Sequence, residues 1–162
     1  MSGTRGVGRD AGWGALLLVL AGLGAGCGGD DAPADEPDGE VETRLLHKGA
    51  VCRRVAAGLV VVRTADEWRR LWADAGSETG FGDQPPSIDF TRHMVLGAFL
   101  GFGPTGRDVM IDRVFVEGGE LIATWVKRDR DGPMPERPTS PFYLVRVPAS
   151  RREVVWREAA GR

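Results

Sequence analysis

Few residues in this 162-residue chain could do chemistry, and their spacing decides what kind. There are two histidines, His47 and His93, and two cysteines, Cys27 and Cys52. A nucleophilic triad would need His93 with a serine from Ser77, Ser87, Ser140 or Ser150. None of those serines sits in a Gly-x-Ser-x-Gly elbow, the strained turn that presents such a nucleophile beside its oxyanion donors. Asp89 precedes His93 by four positions, but the intervening Phe90-Thr91-Arg92 reads as extended chain, which would hold the two side chains apart. Structural zinc sites show close ligand pairs, and Cys52, His47 and His93 offer none. Phe102–Gly106 (FGPTG) lacks the lysine and the run into a helix that a phosphate loop needs. These residues therefore point to a protein that is not an enzyme, with no catalytic residue, no metal and no cofactor. Asp89 reads as structural, its carboxylate accepting backbone amides where a loop becomes a strand.

Cys27 invites a different chemistry. Arg5 and Arg9 form a positive start, Ala15–Leu23 (ALLLVLAGL) is a short apolar run, and Gly24-Ala25-Gly26 precede the cysteine. That order and size describe a secretory signal, and the run is shorter than the roughly 20 apolar residues of a spanning helix. Ending at a cysteine, it resembles a bacterial lipoprotein signal, with Leu23 one place further upstream than the usual leucine. The resemblance implies removal of residues 1–26, lipidation of Cys27, and anchoring of the protein to a membrane of the cell envelope through an N-terminal lipid. Gly28 rather than aspartate follows, which favours the outer membrane where the organism has one. The alternative is a plain signal peptide with Cys27 as a free thiol. If Cys27 is acylated, only Cys52 is left, no intrachain disulfide can form, and Cys52 reads as a small core residue.

The elements that must position any site begin after this. Residues 27–41 hold six acids and no base (Asp30, Asp31, Asp35, Glu36, Asp38, Glu40) among Gly and Pro, and read as a disordered acidic tether. Residues 42–157 have the length of one ordinary domain, and 158–162 form a C-terminal tail. The domain's mild basic excess does not argue for nucleic acid. Gly58–Arg63 (GLVVVR) is a β-branched strand. Thr64-Ala65-Asp66-Glu67 is a capping box. Trp68, Leu71, Trp72 and Ala75 then fall on one helical face, with Gly76 at the end. His93–Leu100 is apolar on both faces, so it reads as an interior strand covered on each side. Val109–Val116 and Glu120–Lys127 flank Gly118-Gly119, a two-residue hairpin signal. Phe142–Val147 and Glu153–Trp156 read as the last two strands, joined by a turn at Pro148–Arg152. Glu42–His47 reads as a first strand. The expected fold is α+β: an antiparallel sheet of about six strands with one amphipathic helix packed on it. The alternative is a small β-sandwich with the helix as a peripheral plug.

Two loops stand out, Gly101–Asp108 and the proline-rich Arg128–Pro141 (RDRDGPMPERPTSP). Long ordered loops are commonly functional, and an antiparallel arrangement would bring both to one end. Phe102, Pro104, Thr105, Arg107, Arg128, Arg130 and Arg137 are therefore the candidate partner-binding residues.

The succession TADEWRRLW, PPSIDF, HMVLGAFLGFGPTG, the hairpin and TSPFYLVRVP resembles the C-terminal domain of the protease complex subunit PrcB family, bacterial lipoproteins and secreted proteins. The match covers about Gly58–Val147. The family's loop continues Gly-Tyr after Pro-Thr-Gly, whereas Arg107-Asp108 follow here. The resemblance implies a non-catalytic accessory lipoprotein that binds or stabilises an exported protease. A second resemblance is looser. The Gly-Pro-Thr-Gly loop with Arg137-Pro138 downstream is similar to chagasin-type inhibitors of cysteine proteases, which present such loops from a β-sandwich, and it implies an inhibitor.

Overall fold

A computed structural model of the chain describes residues 38–54, 56–76, 84–103, 106–129 and 138–160. Eight strands and one helix follow in order: β1 (Gly39–Glu40), β2 (Arg44–Gly49), β3 (Gly58–Val62), α1 (Ala65–Ala75), β4 (His93–Phe99), β5 (Arg107–Glu117), β6 (Glu120–Asp129), β7 (Phe142–Pro148) and β8 (Val154–Glu158). They form two four-stranded sheets, ordered β1-β5-β6-β8 (sheet A) and β2-β7-β4-β3 (sheet B), in place of the single sheet of about six strands expected.

The reason lies in β4. Both its faces are apolar, and one helix can cover only one of them. Met94, Leu96 and Ala98, with Val145 and Val147 of β7, share a core with Val109, Ile111, Val114, Val116, Leu121 and Ala123 of sheet A. Val95 and Phe99, with Val62, Phe142 and Leu144, share a second core with Trp68, Leu71, Trp72 and Ala75 of α1. The domain thus has three layers: sheet A, sheet B and helix. The helix is no peripheral plug, since Trp68 is only 2% exposed and Trp72 only 6%.

Local chemistry explains the elements. Thr64 Oγ1 accepts from the Glu67 amide at 3.2 Å, and Glu67 accepts from the Thr64 amide at 3.1 Å, closing the capping box. Gly118 and Gly119 have φ of 58° and 82°, the left-handed pair that a tight hairpin needs. The apolar alternation of β5 changes phase between Ile111 and Val114, and the β5–β6 register slips there. One extra residue in a bulge keeps Val109, Ile111, Val114 and Val116 all on the core side.

The expected final hairpin is not formed. β7 lies between β2 and β4 in sheet B, with both edges occupied, and β8 joins sheet A instead. β8 runs parallel to β6, from Leu121↔Val154 to Trp125↔Glu158, so sheet A is mixed and not purely antiparallel. Five residues after β7 ends, β8 begins at Val154 opposite Leu121 at the start of β6 and runs in the same direction as β6. Arg63 fastens the crossing by donating to the carbonyls of Ser150 at 3.2 Å and Arg152 at 2.6 Å.

The last residues of the acidic stretch lie on the sheet. Gly39 and Glu40 pair with Val116 and Phe115, Val41 is buried, and Asp38 accepts from the Gly118 amide. Among the described residues, no helix is long and apolar enough to cross a membrane.

Candidate functional site

The two loops singled out in the sequence do meet at one end of the domain, as far as their described residues go. Gly103 and Thr139 exchange backbone hydrogen bonds, N–H to O at 3.0 and 3.2 Å. Leu100 donates to the Pro141 carbonyl at 3.0 Å. Gly101, at φ 74°, turns the chain between β4 and this short ladder. Below it, Arg107 pairs in register with Asp129, and Asp108 with Arg128. Phe102 is 62% exposed and projects from the ladder. A hollow of about 240 Å³ beside it is walled by Phe102, Arg107, Lys127, Thr139 and Pro141 among others.

Of the seven candidate residues, Phe102, Arg107 and Arg128 are placed here; Pro104, Thr105, Arg130 and Arg137 lie outside the described residues, as does Cys27. Arg107 and Arg128 each face an aspartate across the hairpin, so the base of the loops is close to neutral rather than basic. Lys127 pairs with Glu158 at 3.1 Å and lies over the Trp125 ring.

The ladder is held from beneath by a buried clasp that no local pattern in the sequence announces. Ser140 is 2% exposed and Cys52 6%. The Cys52 amide donates to Ser140 Oγ at 3.0 Å, Ser140 Oγ donates to the Cys52 carbonyl, and the Ser140 amide donates to the Ala50 carbonyl at 3.0 Å. The thiol donates to the Ser140 carbonyl at 3.3 Å. Burial pushes the Cys52 thiol above its ordinary value, against the opposing pull of the Ser140 hydrogen bond. The thiolate, not the thiol, is the nucleophile, so Cys52 sits here as a buried, protonated tie between the β2–β3 connection and the start of β7.

The other chemistry-bearing residues are scattered. His47 packs its ring 5.9 Å from Trp72 and 5.3 Å from Phe142. His93 starts β4, whereas Ser140 lies next to the far end of that strand, where Phe99 pairs with Phe142. The Asp89–His93 segment is a turn and not extended chain, because the Asp89 carbonyl accepts from the amides of both Arg92 (3.2 Å) and His93 (2.9 Å). The Asp89 carboxylate accepts from the Thr91 hydroxyl and amide, and these bonds hold it below the usual carboxylate range. It has the structural role read from the sequence. Among the described residues, no group of three or more His, Cys, Asp or Glu side chains is placed to hold a metal ion.

No family model, curated protein or solved structure matches the chain.

Proposed function

We propose that the protein is a lipid-anchored, non-catalytic accessory protein of the cell envelope that binds a protein partner, an exported protease, through the end of the domain carrying Phe102. One observation carries this reading: a phenylalanine 62% exposed on backbone fixed by a ladder at Gly103–Thr139. Aromatic side chains are enriched at interfaces, and one presented on ordered backbone has little ordering entropy left to lose on binding. The resemblance to the PrcB family supplies the class of partner, and the lipoprotein-like signal ending at Cys27 supplies the anchor. The strands and helix agree with an α+β class, with α1 covering a core of its own. The geometry is compatible with both attachments. The acidic stretch joins sheet A beside Gly118, and β5 runs 11 residues from there to Arg107. The two ends of that strand are about 35 Å apart, so an anchored N-terminus need not compete for the partner end.

The test is recovery of partners from membranes with the tagged full chain and with Phe102→Ala. An exported protease should be recovered reproducibly, and about tenfold less with the variant, as for an interface anchor worth more than about 1.4 kcal/mol. The unfolding free energy of the variant, from urea denaturation, should stay within about 0.5 kcal/mol of the parent, since surface changes cost little. Failure to recover a protease, or equal recovery by both proteins, rejects the reading. The inhibitor reading is favoured by one feature, two loops fastened together at the end of two packed sheets. Stoichiometric inhibition in a panel of cysteine and serine proteases would select it over the accessory role.

A further inference from the structure

At the end of sheet B remote from Phe99, three basic side chains meet. Arg44 of β2 and Arg146 of β7 are direct register partners. Arg146 is also the partner of Val95, and His93 the partner of Pro148. Alternation along the strands therefore puts Arg44, His93 and Arg146 on one face of the sheet. Like charges directly opposite one another destabilise a strand pair. Yet the ion pairs among the described residues engage Arg54, Arg69, Arg113, Lys127 and Arg157, and neither of these two arginines. His93 Nδ1 is buried without a hydrogen-bond partner, itself a cost. Both unfavourable features fall on one concavity of about 100 Å³, whose remaining walls are Glu42, Val147 and Pro148.

We propose that this hollow binds a single phosphate-type oxyanion, either inorganic phosphate or the phosphate of a lipid headgroup. Such an anion relieves both costs together. It separates the two guanidiniums with negative charge, and it gives the buried His93 Nδ1 a hydrogen-bond partner. Arginine's planar fork of donors matches the oxygens of phosphate. The concavity is too small for a nucleoside or a folded peptide segment. Glu42 is the one carboxylate in its walls and opposes the anion, which makes it an internal control. The site lies at the other end of β4 from the Phe102 loop, so it stands whether or not that loop binds a partner.

The test is thermal unfolding and ³¹P NMR titration of the full chain with inorganic phosphate, against chloride at matched ionic strength. A saturable rise in Tm and a perturbed phosphate resonance are expected. Arg44→Gln and Arg146→Gln should each weaken binding on the order of tenfold, as loss of a charge-assisted hydrogen bond does, and Glu42→Gln should strengthen it. In chloride alone, both arginine variants should melt at or above the parent Tm, because each removes a repulsive contact. No saturable effect beyond chloride, or one undiminished in both arginine variants, overturns the proposal. So does a lower Tm of those variants in chloride, which would mean that the guanidiniums already stabilise the sheet. The source of the phosphate is resolved by co-sedimentation of the full chain, carrying Cys27→Ser, with phosphatidylcholine vesicles with and without phosphatidylglycerol. Sedimentation that depends on phosphatidylglycerol, is lost in Arg146→Gln and is competed by phosphate assigns a headgroup. Phosphate binding without that dependence assigns the free anion.

Discussion

Gly97 sits where three side chains leave no room for a fourth. A Cβ there would lie 2.7 Å from Leu144 Cδ2, 2.7 Å from Val60 Cγ2 and 3.2 Å from Phe99 Cε2. Val60 and Leu144 are its register partners on either side, so the crowding is built into the sheet. Gly97→Ala should destabilise by about 1–3 kcal/mol, the usual cost of overpacking, seen as a fall in the urea midpoint with unchanged slope. An unchanged midpoint would mean that the neighbours give way freely. Nothing adjacent to Gly97 in sequence reveals this need, because the side chains that impose it come from β3 and β7. Asp89 shows the opposite case. Its role as a carboxylate accepting amides was legible, since an acid before a strand has few other uses there. That the turn runs through Phe90-Thr91-Arg92, which read as extended chain, was not, because those residues include no glycine or proline to mark it. Cys52 was legible as a core residue from its chemistry alone, while its clasp with Ser140 spans 88 positions and leaves no local trace.

At the scale of the element, the start of α1 makes the clearest test. Thr64→Ala removes one half of the capping box and should cost about 1 kcal/mol, measurable by urea unfolding. The other half responds to pH. The Arg63 amide donates to the Glu67 carboxylate, and this bond, with those from Thr64, holds it below its ordinary value of 4.5. A carboxyl depressed in the folded state contributes stability above its unfolded value and loses it as pH falls through the folded one. Stability should therefore decline below about pH 4.5 less steeply in Glu67→Gln than in the parent; parallel acid profiles would remove Glu67 from the account. Helix, Gly-Gly hairpin and the doubly apolar β4 were all legible, because each is specified within about ten residues. Strand pairing was not. That β4 needed cover on both faces was already evident in Met94–Phe99, and one helix could never supply it. The single-sheet expectation left the second face uncovered, whereas the sandwich alternative supplied strands for it and erred only in making the helix peripheral. The bulge of β5 was also visible in principle, as the break in alternation between Ile111 and Val114.

At the scale of the whole molecule, sheet B is the shared middle layer, with one core on each side. Losing either core uncovers a face of β4, so neither outer layer should persist without the other. Four of the five tryptophans report the two sides separately: Trp68 and Trp72 pack in the helix core, Trp125 and Trp156 against the core of sheet A. Urea unfolding followed by fluorescence should give one midpoint in the parent. Variants retaining only one pair of tryptophans should each keep their fluorescence midpoint coincident with that of their own far-UV circular dichroism. Separate midpoints within one variant would show that the layers come apart independently.

Sheet A takes its outer strands from the two extremes of the described domain, β1 at Gly39–Glu40 and β8 at Val154–Glu158, and encloses the β5–β6 hairpin between them. Among the described residues, that hairpin is the one strand pairing joined by a tight turn, and such hairpins form in about 1–10 μs. β2 must find β7 across most of the chain, and β1 must find β5. Domains dominated by distant pairings fold in about milliseconds to seconds. The time the chain takes to reach its native state is thus set by the meeting of remote segments, with β5–β6 as the template on which β1 and β8 dock.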